Sequence, residues 1–371
     1  MKKRKLKIAT FVASETPFPV PKDFKGIYAP VDVALNLAEG LAKRDHKVFF
    51  FGPKGSKSKI CKVVEIPVIP LYKNTILKDQ KIKDREREKI FSLFDQYIIS
   101  LIFKENLKNK FDIIHIHPAD RALPFASLTK TPVVYTLHDP IYKWRAEIFR
   151  IYQTKNQYFI SLSNAQRKPA PNLNWAGTVY NGINLKFFPF NPNPENYILF
   201  LGRILEKKGA DLAIKIAIEA KEKLIIVGDK RDPIFWENKI KPYLKFKNIV
   251  YKGLLPYSKI FKFYQYAKAM IFPLQWEEPF GLTMIEAMAC GTPVIAFKRG
   301  SVPEVVKNGK NGFVIEPFNK KGEPNIKDFI EALNKINQIN RYECRKWVKK
   351  NFTIEKMVEN YEKIFLKIAN L

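Results

Sequence analysis

The chain has 371 residues, with 65 Lys+Arg against 36 Asp+Glu and a formal net charge of +29. At roughly 150 residues per domain this length predicts two domains, and a content of 46% hydrophobic and 13% aromatic residues excludes a disordered chain despite the charge. Three scattered cysteines (Cys61, Cys290 and Cys344) exclude a disulfide framework and a Cys-x-x-Cys metal knuckle, and no apolar run approaches the roughly 20 residues that span a bilayer.

In chain order, the start MKKRKLKIATFVASE has a basic head but is interrupted by Lys7 and Glu15. It lacks a small-residue cleavage pattern and reads as a first buried strand rather than a secretion signal. Reduced cysteines and this start predict a cytoplasmic protein. Short runs rich in Val, Ile and Phe then alternate with amphipathic stretches, the pattern of a parallel sheet covered by helices. Strands are predicted at 6–12, 47–52, 112–117, 133–138 and 158–163, with a helix over 31–44. Residues 78–89 mix both charge signs, as an exposed helix face does. The segment 184–196, NLKFFPFNPNPEN, holds three prolines and four asparagines and is predicted to be the domain linker. A second set of strands follows at 197–203, 224–228, 249–253, 269–273 and 293–297, with a helix over 211–223. Residues 353–368 form one further amphipathic helix.

In open parallel sheets, ligands bind beyond the carboxyl ends of strands. Two such sheets facing each other make a cleft. The stretch EEPFGLTMIEAMACGTPVIAF (277–297) has the right placement. Pro279 and Gly281 turn the chain after a strand, and a helix starts near Thr283. Free N–H groups and the positive dipole end at that start suit a diphosphate. Glu278 precedes the turn and Glu286 follows eight positions later; each carboxylate can accept hydrogen bonds from a sugar diol. An anion pocket beside such carboxylates points to a nucleotide sugar. Met284, Met288 and Cys290 read as packing residues and His46 as a turn residue. His115 and His117 share one face of a strand, but no third metal ligand is recognisable by spacing.

The E-x7-E arrangement in EPFGLTMIEAMACGTPVIA resembles the hallmark of retaining glycosyltransferase family 4, among the group 1 glycosyltransferases. FLGRILEKKG (200–209), RGSVPEVVKNGKNGFVI (299–315), ISLSNAQR (160–167), TVYNGIN (178–184) and VVYTLHD (133–139) resemble further segments of that family. The resemblance implies an α/β protein of the GT-B fold, two Rossmann-like parallel-sheet domains facing a cleft. Residues 1–185 would be the acceptor-side domain and 186–352 the nucleotide-sugar domain. Residues 353–371 would be a helix crossing back to the first. It implies transfer of a hexose from a nucleoside diphosphate sugar to an acceptor hydroxyl with retained configuration. Glu286 would bind the donor ribose, and Glu278 the hydroxyls of the transferred sugar. The amides of Phe280, Gly281, Leu282 and Thr283 would meet sugar and distal phosphate. Arg203 and Lys208 would neutralise the departing diphosphate, His138 would reach the donor sugar, and Gly26 would let the backbone approach the phosphates. The family's Gly-Gly loop stands here as Lys25-Gly26, and the acidic residue that often follows is replaced within Ile27-Tyr28-Ala29-Pro30.

No cofactor and no metal are expected, since the chain has no Asp-x-Asp clamp. The resemblance weights the donor toward UDP-glucose, with UDP-GlcNAc and GDP-mannose as alternatives. The acceptor is a lipid, a glycan or a small molecule. The charge admits peripheral contact with an anionic membrane, or simply reflects lysine on solvated faces. Two rival readings are a catalytically silent sugar-nucleotide binder and a basic nucleic-acid-binding protein, although no nucleic-acid motif is present and no specific nucleic acid is expected. A dinucleotide-dependent oxidoreductase is disfavoured because no GxGxxG follows the first strand.

Overall fold

The structure, a computed structural model, describes residues 4–21, 24, 29–75 and 84–371. The chain divides into two compact units. One comprises Met1–Leu162, Arg167–Tyr180 and Ile354–Leu371, the other Ser163–Gln166 and Asn181–Thr353.

In the first unit the strands are β1 (Lys7–Phe11), β2 (Lys47–Gly52), β3 (Lys62–Glu65), β4 (Ile113–Ile116), β5 (Val133–Thr136), β6 (Gln157–Ser161) and β7 (Trp175–Thr178). They form one parallel sheet in the order β3-β2-β1-β4-β5-β6-β7. Apolar residues on both strand faces bury the central strands completely, as a sheet covered by helices requires. The helix Ile354–Ala369 belongs to this unit and ties its polar groups inward. Its Glu362 accepts from Arg44 (2.7 Å) and lies 3.1 Å from His46 Nε2, and the Tyr361 hydroxyl meets Thr136 at 3.0 Å. His46 is therefore more than a turn residue: it is buried, and its Nδ1 accepts from the Leu6 amide at 3.0 Å.

The second unit repeats the plan with β8 (Ile198–Leu201), β9 (Leu224–Val227), β10 (Ile249–Tyr251), β11 (Ala269–Phe272), β12 (Val294–Phe297) and β13 (Gly312–Ile315). Its parallel sheet runs β10-β9-β8-β11-β12-β13. In each unit the first strand lies inside the sheet, so successive connections leave it in opposite directions. That reversal falls between β1 and β4 and between β8 and β11, where doubly wound sheets open a crevice at their carboxyl ends.

The helices expected over 31–44, 211–223 and 353–368 are found at Ala29–Ala42, Ala210–Glu219 and Ile354–Ala369. Part of the mixed-charge segment 78–89 lies outside the described residues, and a helix spans Asp84–Asn109. The segment 184–196 is not a free linker: it packs within the second unit. Phe188 is 2% exposed and its ring meets Tyr257 and Tyr264, while Asn191 accepts from Arg341 at 2.8 Å. Among the described residues, no helix is long and apolar enough to cross a membrane.

Candidate functional site

At the reversal in the second unit, two loops meet: 202–209 after β8 and 273–281 after β11. Gly209 makes the meeting close. Its φ of +76° is in the left-handed region, and a Cβ there would lie 2.0 Å from the Pro273 carbonyl oxygen. Gln275 completes the junction, its amide donating to the Lys207 carbonyl (3.0 Å) and its side chain to that of Glu206 (2.9 Å).

This junction brings together the first candidate residues. Lys208 Nζ and Glu278 Oε2 form an ion pair at 2.6 Å, and the Trp276 indole N–H donates to the same oxygen at 2.9 Å. The Lys208 ammonium also lies 4.3 Å from the Trp276 ring centre, a cation–π contact. Both charged side chains are nearly buried. Burial holds the Lys208 ammonium below the usual lysine range, against the opposing pull of Glu278; the charges of Arg203 and Lys207 push the same way as burial. Arg203 itself is exposed at the end of β8. Positive charge thus gathers at one carboxylate, and an anion entering here would relieve the repulsion among the cations.

The helix Leu282–Ala289 starts from Gly281 (φ +79°), with no side chain capping its first amides. Its first N–H groups are the uncompensated ones of any helix start. Phe280 is 2% exposed, whereas Gly281, Leu282 and Thr283 are half-buried. Met284 and Met288 are fully buried, as their helical spacing predicts. The loop before the helix is held from the loop after β12: Ser301 donates from its amide to Glu278 O (2.9 Å) and from its hydroxyl to Phe280 O (2.7 Å).

Glu286 lies one turn inside the helix, 5% exposed. Its two oxygens accept from Tyr257 (2.9 Å) and Tyr264 (2.8 Å), both on the helix Tyr257–Tyr266. Burial and the adjacent carboxylate keep the Tyr264 hydroxyl protonated, so it remains a donor. Sequence reasoning missed both tyrosines; their only signal is a spacing of seven on a helix, which reads equally as packing.

In the first unit, His138 stands just beyond β5 and is half-buried. Its neighbour is His117, at the end of β4. Gly26, with Lys25 and Tyr28, lies outside the described residues. A buried carboxylate was also missed: Asp95 accepts from the Ser14 amide (2.8 Å) and hydroxyl (2.6 Å) and from Arg121, pinning the loop after β1. Among the described residues, no group of three or more His, Cys, Asp or Glu could hold a metal ion.

Comparison with known proteins adds an independent line. A family model described as "Glycosyl transferases group 1" matches residues 183–351, and one described as "Glycosyltransferase Family 4" matches residues 31–187. A relative from Klebsiella pneumoniae, an uncharacterized 41.2 kDa protein in the cps region, is 28% identical over 318 residues, 76% of this chain and 85% of that one. Among solved structures, sucrose-phosphate synthase from Thermosynechococcus elongatus superposes with a TM-score of 0.76 at 17% identity, covering 99% of this chain and 100% of that one. Anabaena HepE in complex with UDP-glucose gives a TM-score of 0.68 at 16% identity, with 99% and 100% covered.

Proposed function

The chain belongs to the group 1 glycosyltransferases, family 4-like and of the GT-B fold, and from that premise we propose that it moves a hexose from a nucleoside diphosphate sugar to an acceptor hydroxyl with retained configuration, without a metal. UDP-glucose is the proposed donor; a UDP-glucose complex of the structurally similar HepE supports that choice. The observation that carries the reading is the Lys208–Glu278 pair beside Arg203 and the helix start at Gly281.

In the reaction the bond from the sugar's anomeric carbon to the diphosphate breaks, and a bond from that carbon to the acceptor oxygen forms. The acceptor's proton passes to the leaving phosphate. Arg203 and Lys208 stabilise the charge growing on the diphosphate, where fixed cations act most strongly. The amides at the helix start add to this. Glu278 and His138 are assigned the hydroxyls of the transferred sugar, and Glu286 the ribose. Tyr264 holds Glu286 from the buried side, and Tyr257, half exposed, gives way to a ribose hydroxyl. The acceptor is a lipid, glycan or small molecule.

A panel of nucleotide sugars tests this through thermal stabilisation and slow donor hydrolysis, neither of which needs the acceptor. Glu286→Ala is expected to weaken donor binding at least tenfold, the cost of about 1.4 kcal/mol from a charged hydrogen-bonding partner. Arg203→Ala is expected to lower turnover more than affinity, because its contact strengthens as charge develops. Wild-type behaviour in both variants would remove these assignments; stabilisation without turnover in the parent protein would leave a silent binder.

A further inference from the structure

Two histidines of the first unit are joined by a hydrogen bond. β4 and β5 are parallel neighbours, and their carboxyl ends place His117 beside His138. His117 Nδ1 and His138 Nε2 are 2.7 Å apart, with the rings stacked at 5.0 Å between centres. Burial holds His117 well below the usual histidine range, with the charges of His115 and His138 adding to it. Burial likewise takes His138 to about 4, against the pull of Asp139 and with the push of Arg145. Both rings are therefore neutral at neutral pH, and each carries one hydrogen.

The other nitrogen of His117 decides where its hydrogen sits. Nε2 is buried and has no hydrogen-bond partner among the described residues. A hydrogen there would be a buried N–H without an acceptor, which folded proteins rarely keep. It would also leave the 2.7 Å contact to be donated from His138. With the hydrogen on Nδ1, His117 spends it on His138 and leaves only a ring lone pair unmatched. His138 Nε2 is then the acceptor, and the hydrogen of His138 must sit on Nδ1.

We propose that His117 is a positioning residue that fixes His138 as the Nδ1–H tautomer, so that His138 presents a hydrogen-bond donor to an oxygen of its ligand. This deepens, and rests on, the reading of His138 as a contact of the donor sugar. His115 stands apart from the relay. Its Nε2 meets Thr136 Oγ1 at 2.8 Å, and that hydroxyl continues to Tyr361.

The test is spectroscopic first. The chain has four histidines, so two-bond 1H–15N correlation of the histidine-labelled protein at neutral pH, assigned by single replacements, reads each tautomer. His138 is expected as neutral Nδ1–H. His117→Leu is expected to shift it toward Nε2–H, and His117→Asn, whose amide nitrogen can donate from the place of Nδ1, to restore it. Donor hydrolysis should follow: kcat about tenfold lower in His117→Leu with KM within about threefold, and recovery in His117→Asn, the size of one net hydrogen bond. An Nε2–H form of His138 in the parent protein overturns the proposal, as does equal loss in both variants. A protein that turns over no nucleotide sugar would refute the transfer reaction, while the spectrum of the parent protein would still decide the tautomer.

Discussion

At Lys208, burial and charge act in opposite senses, and the balance has a kinetic consequence. Its proton affinity is lowered by burial and by the cations Arg203 and Lys207, and only partly restored by Glu278. The charged form is lost as pH rises through that lowered value, below the 10.5 of an ordinary lysine. If Lys208 neutralises the diphosphate, kcat/KM falls along an alkaline limb, since that ratio reports the free enzyme. Stability has the other sign: between the lowered value and 10.5 the unfolded chain binds more protons, so this group's contribution favours folding as pH rises. A falling rate is thus not unfolding. Lys208→Arg, whose guanidinium stays charged, should lack the limb; an unchanged limb would assign it to another group. Glu278 and Glu286 stand out in the sequence because strand, turn and helix follow one another within a few residues there, whereas Arg203 and Lys208, common residue types in so basic a chain, stand out only through the family resemblance. The pairings of His117 with His138, Tyr264 with Glu286 and Asp95 with Ser14 do not: the partners lie 21, 22 and 81 residues apart, and only the folded unit brings each pair together.

At the level of elements, legibility followed burial. Strands announce themselves where they are continuous apolar runs, most of them buried on both faces, and ten, from β1 to β12, lie within a few residues of the predicted positions. β3 was missed because Lys62–Glu65 is an edge strand, with charged residues at both ends. β7 (Trp175–Thr178) contains a glycine, and β13 begins on Gly312, where a Cβ would lie 1.9 Å from the Val294 carbonyl oxygen. Glycine in a strand hides the apolar pattern at the places where backbones approach most closely. The loop after β12 shows what such an approach does for the site. Gly300 has φ +52°, and a Cβ there would sit 2.2 Å from Glu278 O and 2.5 Å from Glu278 N. Gly300→Ala therefore combines a left-handed backbone with a backbone collision, together costing about 3 kcal/mol. The expected outcome is a lower melting temperature and weaker donor binding in one variant, because the residue displaced is Glu278. Scanning calorimetry and nucleotide titration check the two halves, and loss of stability with donor affinity intact would separate Gly300 from the site.

For the whole molecule, the surplus of 29 positive charges raises the question of whether any phosphate-rich partner would do. Much of that charge lies on exposed side chains, some paired along helices as in Lys241–Glu237 and Lys363–Glu359. Exposed charge is screened over about 3 Å in 1 M salt, whereas a pair as buried as Lys208–Glu278 is screened far less. Nucleotide binding and non-specific polyanion binding should therefore part company as salt rises. With UDP at a hundred times its Kd, the native state gains about 2.7 kcal/mol. For a unit of this size that raises the melting temperature by about 5–10 °C. This rise should largely persist in high salt, while association with a nucleic-acid duplex should vanish as its counterion term is lost. The same measurement addresses the metal. If Arg203, Lys208 and the amides from Gly281 onward oppose the diphosphate charge as proposed, a chelator should leave both the UDP-induced rise and the rate of donor hydrolysis unchanged. A rise that disappears with chelator and returns with a divalent ion would show that these groups do not suffice, and that a cation shares the diphosphate with Lys208.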